Sequence, residues 1–255
     1  MTGTDAWVFD LGNSRLKFAA LEPGGWLGDM AAVPHAQGAF AAGWQSALPT
    51  RIGCAWIASV GPPGLLQQLT AALESRGGQI GMASTVPHFA GITIAYARPE
   101  RLGVDRLLAM AAARARDPSP ALVVGVGTAL TLDLVDAEGR HRGGRIAPSP
   151  SLMREALQRR APHLPLDGGE YVEFGIDTAA ALASGCVGAA MGLVERSRRE
   201  ARALLGSEPR VWLHGGGVAT LPEPLEGATH APALVLEGLA LWARRETGDP
   251  APSLG

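Results

Sequence analysis

Short apolar runs, each ended by glycine, proline or polar residues, alternate along the chain with longer segments in which apolar residues recur at helical spacing. Runs of the first kind predict β-strands, and segments of the second kind predict helices. The predicted strands cover residues 6–11, 15–21, 54–60, 92–96, 121–126, 130–135, 144–147 and 210–214. The predicted helices cover residues 63–76, 105–116, 151–160, 178–205 and 233–245. This mixture of elements indicates an α/β protein.

A pattern of strand, glycine turn and strand occurs twice in the sequence. It lies at residues 8–18 and returns at residues 123–134, after a proline-rich break at residues 117–120. Prolines in such a cluster interrupt regular structure and are typical of a boundary between domains. The repetition therefore predicts two similar α/β domains, residues 1–117 and 118–255, with a cleft between them.

The composition favours a folded chain that acts on a small molecule. Of the 255 residues, 47% are hydrophobic and 18% are charged, which is sufficient to bury a core. The net charge of −2 provides no basic surface for nucleic acid or for an anionic membrane. Cys54 and Cys186 lie far apart and form no CxxC pair, so we expect reduced thiols rather than a disulfide or a zinc site.

Two features of the sequence favour a cytoplasmic protein without a membrane segment. The first residues lack the basic region and apolar core of a signal peptide. The small-residue stretch at residues 178–193 is interrupted by Ser184, Gly185, Gly188 and Gly192, which favours a closely packed helix of a soluble protein.

The first segment with candidate chemistry follows the first predicted strand. Asp10 ends a buried run, where a carboxylate is costly unless it is paired or bound to a metal. Gly12 permits a close backbone approach, Asn13 and Ser14 offer neutral hydrogen bonds, and Lys17 is the single lysine among 22 basic residues. The set suits a magnesium-bound triphosphate, although an ordinary hairpin turn would also use these residue types.

A second candidate phosphate site lies at the corresponding place in the second half. Gly125, Gly127 and Thr128 form a glycine turn, and Thr131 and Asp133 follow on the next predicted strand. Backbone N–H groups of such a turn can bind phosphate. The segment lacks the GK[ST] ending of a Walker A loop, so a glycine-rich hairpin without a ligand remains the alternative.

Two further segments have both a chemical and a structural interpretation. Asp105 lies where a predicted helix begins, and could be the N-cap of that helix or a general base for a substrate hydroxyl. Arg106 could bind a substrate carboxylate or be solvated. His214 and the glycines at 215–217 follow a predicted strand, and could admit a nucleotide base or phosphate or form an ordinary turn.

The order of these motifs along the chain resembles that of the type III pantothenate kinase family. The resemblance spans nearly the whole chain, and no single motif carries it. The motifs are Asp10-x-Gly12-Asn13-Ser14-x-x-Lys17, Gly103-Val104-Asp105-Arg106, Gly127-Thr128 with Thr131 and Asp133, Gly143-Gly144-Arg145-Ile146-Ala147-Pro148, and Asp177-Thr178.

The resemblance implies two ribonuclease-H-like domains, as in the actin-like ATPases. It implies transfer of the ATP γ-phosphate to pantothenate, the first step of coenzyme A biosynthesis, by a homodimer with Asp105 as the base. It assigns ATP, with magnesium organised through Asp10, to Asp10, Leu11, Gly12, Asn13, Ser14, Arg15, Leu16, Lys17 and Thr128. It assigns pantothenate to Tyr96, Gly103, Val104, Asp105, Arg106 and, across the dimer interface, Thr178.

One position departs from the family pattern. The family usually has an aspartate that helps to bind potassium or ammonium where this chain has Gly125. A glycine supplies no carboxylate to a hard cation, so dependence on a monovalent cation is in doubt. Arg145, on the strand after the second phosphate hairpin, is a candidate to replace the cation.

Two other functions are compatible with the same fold. The first is a related kinase for another small molecule, against which the Gly-x-Asp-Arg motif argues. The second is a regulatory accessory factor without catalysis, against which the presence of Asp10, Lys17 and Asp105 argues. No helix-turn-helix with a basic face is evident, which disfavours direct DNA binding.

Overall fold

The structure, a computed structural model, describes residues 5–36, 38–222 and 227–248. Its strands are β1 Ala6–Leu11, β2 Arg15–Ala20, β3 Ala31–Ala36, β4 Ala39–Phe40, β5 Cys54–Ser59, β6 Gln79–Met82, β7 His88–Phe89, β8 Ile92–Thr93, β9 Ala121–Val126, β10 Ala129–Val135, β11 His141–Pro148, β12 Arg210–His214 and β13 Ala228–His230. Its α-helices are α1 Pro63–Glu74, α2 Val104–Arg116, α3 Pro150–Arg160, α4 Thr178–Leu205 and α5 Leu234–Thr247.

The chain divides into two compact units, and the first consists of the residues up to Arg116 together with α5. Its main sheet has the strand order β4-β3-β2-β1-β5-β6. β1 is antiparallel to β2 and parallel to β5, so the predicted opening hairpin is present. Apolar side chains of the sheet pack on α1 and form the core, chiefly Phe9, Leu11, Leu16, Ile57, Leu65, Leu69 and Leu73.

Helix α5 packs against α2 in the first unit, whereas the division drawn from the sequence groups all residues after 117 together. Gly238 of α5 lies directly against the backbone carbonyl of Leu108, where a side chain would not fit. The Arg116 guanidinium donates to the Glu237 carboxylate at 2.6 Å, which joins the two helices at their surface. The sequence contains no local signal that the chain returns to the first unit, because this return depends on which helix α5 contacts.

The second unit, Asp117–Pro232, repeats the topology of the first. Its sheet has the order β11-β10-β9-β12-β13. β9, β10 and β11 form an antiparallel meander, and β12 and β13 continue parallel to β9. One face of this sheet packs on Ala190 and Val194 of α4.

Helix α4 is the longest helix of the second unit. The Asp177 side chain caps it by accepting from the Ala180 N–H at 2.9 Å, and Gly206, with φ 71°, ends it. Among the described residues α4 is also the helix long and apolar enough to cross a membrane by length and composition, a test that core helices of soluble proteins pass too. It packs against α3 and against β9 and β10.

The structure corrects two predicted elements near the candidate site. The strand predicted at residues 92–96 is limited to β8, which pairs with β7, and Tyr96 lies beyond it. Helix α2 begins at Val104, so Asp105 lies in the first turn and is not the N-cap. Pro99 lies shortly after Tyr96 in the chain and starts a 3₁₀ turn, which explains why the apolar run at residues 92–96 does not continue as a strand.

Candidate functional site

The turn between β1 and β2 is held by its own backbone and by β3. The Gly12 N–H donates to the Arg15 carbonyl at 3.1 Å, and the His35 N–H donates to the Ser14 carbonyl at 3.1 Å. The buried His35 ring places Nε2 3.0 Å from the Gly12 carbonyl. Asn13 is exposed at the tip of the turn. The turn therefore has a fixed backbone and presents polar groups to solvent. The sequence contains no local signal for the contact that His35 makes with this turn.

Asp10 is a carboxylate buried at the end of β1, with 9% of its surface exposed. Burial, followed by the negative charge of Asp105, raises the pKa of Asp10 from its ordinary value of 3.8 to about 7, and Lys17 opposes the rise. Lys17 lies opposite Asp10 in the hairpin register. Two carboxylates that oppose each other's ionisation favour a bound cation, so these residues fit a nucleotide-bound magnesium ion.

The start of α2 and the loop after β5 meet the same end of β1. A Cβ added at Gly61 would lie 2.7 Å from the Gly12 carbonyl oxygen. A Cβ added at Gly103 would lie 2.5 Å from Oδ1 of Asp105, which already accepts from the Arg106 N–H at 2.9 Å. Gly61 therefore lets the loop after β5 approach the β1–β2 turn, and Gly103 leaves room for the Asp105 carboxylate at the start of α2.

Arg106 is buried, with 6% of its surface exposed, which excludes the solvated alternative. Its Nη1 donates to the Tyr96 hydroxyl at 3.4 Å, and its guanidinium carbon lies 6.0 Å from the centre of the Tyr96 ring. A buried guanidinium keeps its charge and is suited to binding a carboxylate. The structure thus brings together Tyr96, Asp105 and Arg106, which the resemblance assigns to substrate.

In the second unit the β9–β10 turn packs against the glycine loop after β12. The Gly217 N–H donates to the Val126 carbonyl at 2.8 Å, and Gly215 adopts φ +98° beside the same residue. Thr128 is exposed at the turn, and the Gly127 N–H donates to the Ala129 carbonyl at 2.9 Å. Two glycine segments that are distant in sequence therefore form one surface.

The side chains of Asp133 and Arg145 both contact other side chains within the second unit. Asp133 is buried, and its Oδ1 lies 3.0 Å from Nε2 of His141, which is also buried. Arg145 donates to the Ser197 hydroxyl of α4 at 2.7 Å, on the sheet face that packs against this helix. Arg145 therefore points away from Gly125 and Thr131, and it does not replace a cation beside Gly125.

Thr178 is the first residue of α4 and is exposed. The preceding loop packs closely on the helix, since a Cβ at Gly175 would meet the backbone of Ala181. Phe174 and Ile176, next to Thr178 in sequence, are 91% and 102% exposed. Two strongly exposed apolar side chains therefore shortly precede, in the sequence, the residue that the resemblance places at a dimer interface.

The described residues contain no group of three or more His, Cys, Asp or Glu side chains that could hold a metal ion by themselves. A magnesium ion at Asp10 would therefore depend on ligands from the nucleotide, which agrees with the usual preference of Mg²⁺ for phosphate oxygens and few protein carboxylates. The donor set fits that arrangement.

Several solved structures share this architecture at low sequence identity. A Campylobacter jejuni protein described as a Baf family transcriptional activator has a TM-score of 0.62 at 18% identity, with 96% of this chain and 100% of that chain covered. The activator of 2-hydroxyisocaproyl-CoA dehydratase from Clostridium difficile, solved with bound ADPNP, has a TM-score of 0.53 at 10% identity, with 96% of each chain covered. At these identities the likeness establishes the fold: two ribonuclease-H-like units of the actin-like ATPase class.

Comparison of sequences is more specific about the family than comparison of structures. The family model for type III pantothenate kinase matches residues 7–200. A type III pantothenate kinase of Stenotrophomonas maltophilia (strain R551-3) is 52% identical over 237 residues, and one of Xanthomonas axonopodis pv. citri (strain 306) is 51% identical over 238 residues. Each alignment covers 93% of this chain and 96% of the relative. With half of the aligned residues identical and more than half of the chain matched by the model, this chain belongs to the type III pantothenate kinase family.

Proposed function

We propose that this chain transfers the γ-phosphate of ATP to the primary hydroxyl of pantothenate, giving 4'-phosphopantothenate for coenzyme A biosynthesis. The observation that carries the proposal is the grouping of Asp105, buried Arg106 and Tyr96 beside Asp10 in the first unit of a type III family member. This transfer needs a base, a cationic side chain that binds the substrate carboxylate, and a second anionic side chain that favours a metal ion.

Asp105 is the proposed base. Its carboxylate accepts the proton of the pantothenate hydroxyl as the oxygen attacks the γ-phosphorus of ATP, whose bond to the β–γ bridging oxygen breaks so that ADP leaves. Arg106 holds the pantothenate carboxylate. The fixed backbone around Asp105, with its Oδ1 accepting from the Arg106 N–H at 2.9 Å, favours one orientation of the carboxylate. Because phosphoryl transfer depends mainly on positioning and charge, the base orients the nucleophile as much as it removes the proton.

Residues Asp10 to Lys17 are the proposed phosphate and magnesium contacts of the first unit. Bound magnesium would neutralise the charge that develops on the transferred phosphoryl group. Asp10 would hold the magnesium-bound nucleotide, and Lys17 would offer a point charge to a phosphate oxygen. Thr128 is the proposed nucleotide contact of the second unit, where it is exposed at the β9–β10 turn.

The assay that tests the function measures ADP release with pantothenate as acceptor, in parallel with acetate and simple sugars. We expect turnover only when pantothenate is the acceptor. For Asp105→Asn we expect a loss of about 10²–10⁴-fold in kcat. Turnover with another acceptor would favour a related small-molecule kinase. Absence of turnover with every acceptor would favour the regulatory accessory factor.

The protein is also proposed to act as a cytoplasmic homodimer in which Thr178 reaches the pantothenate site of the partner subunit. The exposed Phe174 and Ile176 support this proposal, because an apolar surface of this kind is typical of a protein interface. Gly185 and Gly188 of α4 have open space where a side chain would lie, which permits close approach of a second helix.

Complementation between two inactive variants tests the shared site. Thr178→Arg and Asp105→Asn should each have little activity, and mixing them should restore part of the activity because each mixed dimer contains one intact site. Sedimentation of the same samples reports the oligomeric state. A fully active monomer would contradict the proposal, and so would a mixture that stays inactive although the subunits exchange.

A further inference from the structure

His35 of β3 holds the β1–β2 turn at two places. The His35 N–H donates to the Ser14 carbonyl at 3.1 Å, and the ring nitrogen Nε2 lies 3.0 Å from the Gly12 carbonyl oxygen. A carbonyl oxygen only accepts hydrogen bonds, so Nε2 carries a proton and donates it to this bond. One residue of β3 therefore fixes the direction of two carbonyl groups in a turn that is distant in sequence.

The His35 ring is itself held by the aromatic side chains beside it. Its plane stands at 83° to that of Phe40, with the ring centres 5.6 Å apart. Phe40 in turn stacks on buried Trp44, with the ring centres 4.0 Å apart. Edge-to-face and stacked pairs are preferred arrangements of aromatic rings. The buried imidazole is therefore already oriented for its bond to the Gly12 carbonyl.

The Gly12 carbonyl is enclosed as well as bonded. A Cβ added at Gly61 would lie 2.7 Å from the Gly12 oxygen, so the loop after β5 passes close to it. This neighbour leaves little room for a water molecule to replace the imidazole. An enclosed carbonyl without a partner costs more free energy than an ordinary hydrogen bond contributes. Without the His35 ring, the peptide group after Gly12 should therefore lose its fixed direction.

The direction of the Gly12 carbonyl also sets the direction of the Asn13 N–H. The two groups belong to one trans peptide bond, in which the C=O and the N–H point in opposite directions. Because the carbonyl points at His35, the Asn13 N–H points away from His35, and Asn13 is exposed. No described residue accepts a hydrogen bond from this N–H. A backbone N–H presented by a turn in this way can donate to an anion.

We propose that His35 is a positioning residue, which directs the Asn13 N–H at a phosphate group of the bound nucleotide through its hydrogen bond to the Gly12 carbonyl. The proposal rests on the function proposed above and adds to it a residue that does not touch the nucleotide. Because His35 acts through the backbone of the turn, its removal should weaken contacts to phosphate and leave contacts to adenosine and pantothenate unchanged.

Binding of a non-hydrolysable ATP analogue with magnesium, measured by calorimetry without pantothenate, tests the proposal. His35→Ala should weaken binding by about fivefold, which corresponds to one hydrogen bond. Two amide substitutions separate the position of the donor from its polarity. His35→Gln places its amide where Nε2 lies and should stay within about twofold of wild type, whereas the shorter His35→Asn should weaken binding like His35→Ala.

Two further measurements distinguish positioning from a general loss of structure. Adenosine should bind equally to wild type and to all three variants, and melting temperatures should show that each variant is folded. In the assay with pantothenate, His35→Ala should raise the KM for ATP by about fivefold and leave the KM for pantothenate constant. The matched control is His88→Ala, which removes an exposed histidine of β7 in the same unit and should leave both KM values unchanged.

Affinity for the analogue within about twofold of wild type in both folded His35→Ala and folded His35→Asn would overturn the proposal. Equal weakening by His35→Gln and His35→Asn would also overturn it, and so would equal weakening of adenosine and the analogue. Nucleotide binding is measured without the acceptor. Failure of this test is therefore distinct from failure of the wild-type protein to phosphorylate pantothenate.

Discussion

At the scale of single residues, Asp10 combines burial with a charge that the folded chain disfavours. The folded chain holds the Asp10 proton up to about pH 7, whereas the unfolded chain releases it near the ordinary value of 3.8. Between these pH values the folded state binds more protons, so the free energy of unfolding falls as the pH rises. The ionisation penalty is fully present above about pH 7.

Asp10→Asn should therefore stabilise the protein without ligands, and more so at high pH. The gain should be small near pH 4.5 and reach a few kcal/mol near pH 8, since one pKa unit corresponds to about 1.4 kcal/mol. Denaturant unfolding at the two pH values measures it. Asp29→Asn, which changes an exposed carboxylate, is the control. An Asp10→Asn variant that is less stable than wild type at the higher pH would contradict the electrostatic account.

Gly125 affects how the activity should respond to monovalent cations. The family resemblance places a cation-binding aspartate at this position, and here His214 and Thr131 occupy the space above the glycine. Loss of the carboxylate removes the main attraction for a monovalent cation. We expect kcat/KM in Tris-only buffer to be within about twofold of that in potassium. Tight activation by low-millimolar potassium would contradict this, and sodium and ammonium series would separate an ionic-strength effect from a specific site.

At the scale of elements, the α2–α5 contact decides which unit the end of the chain joins. Gly238 is the point of closest approach, because any side chain there would overlap the Leu108 carbonyl. Helix periodicity predicts that α5 exists, and buried Leu234, Leu236 and Leu239 agree with it. Periodicity does not name the partner helix, so this contact could not be predicted from the sequence.

Gly238→Ala should destabilise the protein by about 1–3 kcal/mol, since overpacking forces the backbones of α2 and α5 apart. Gly64→Ala in α1 is the matched control, because a Cβ there meets no atom within 4 Å. The control should be neutral or stabilising by up to about 1 kcal/mol, owing to the helix propensity of alanine. Denaturant midpoints measure both, and equal effects of the two substitutions would show that the α2–α5 contact is not tight.

At the scale of the whole molecule, the repeated strand–turn–strand pattern predicted the repeated topology of the two sheets. The strands that the sequence did not predict are β3, β6, β13 and the two-residue strands β4 and β7. β3 contains Pro34 and lies near the edge of its sheet, and β6 and β13 are edge strands with few buried positions. Such strands depend on pairing with a neighbour more than on their own pattern, so the sequence carries little signal for them.

Some residues of the candidate site can likewise be predicted from the sequence, and others cannot. Asp10 is predicted from its place at the end of a buried run, and Asp105 and Arg106 are predicted from the start of a helix and the Gly-x-Asp-Arg motif. His35 was not identified, because its contact with the Gly12 carbonyl joins segments that are distant in sequence. The family resemblance places Asp133 in the second phosphate motif, but only the structure reveals its buried partner His141.

The crowding above Gly125 also has an evolutionary consequence. Position 125 and position 214 share one volume, so a substitution at either position changes which residues the other can accept. Lineages that acquire a carboxylate at 125 should lose the imidazole at 214, and lineages that acquire a large ring at 214 should keep glycine at 125. The two positions should therefore covary among relatives, and an exchange in one lineage would need both substitutions to become fixed close together in time.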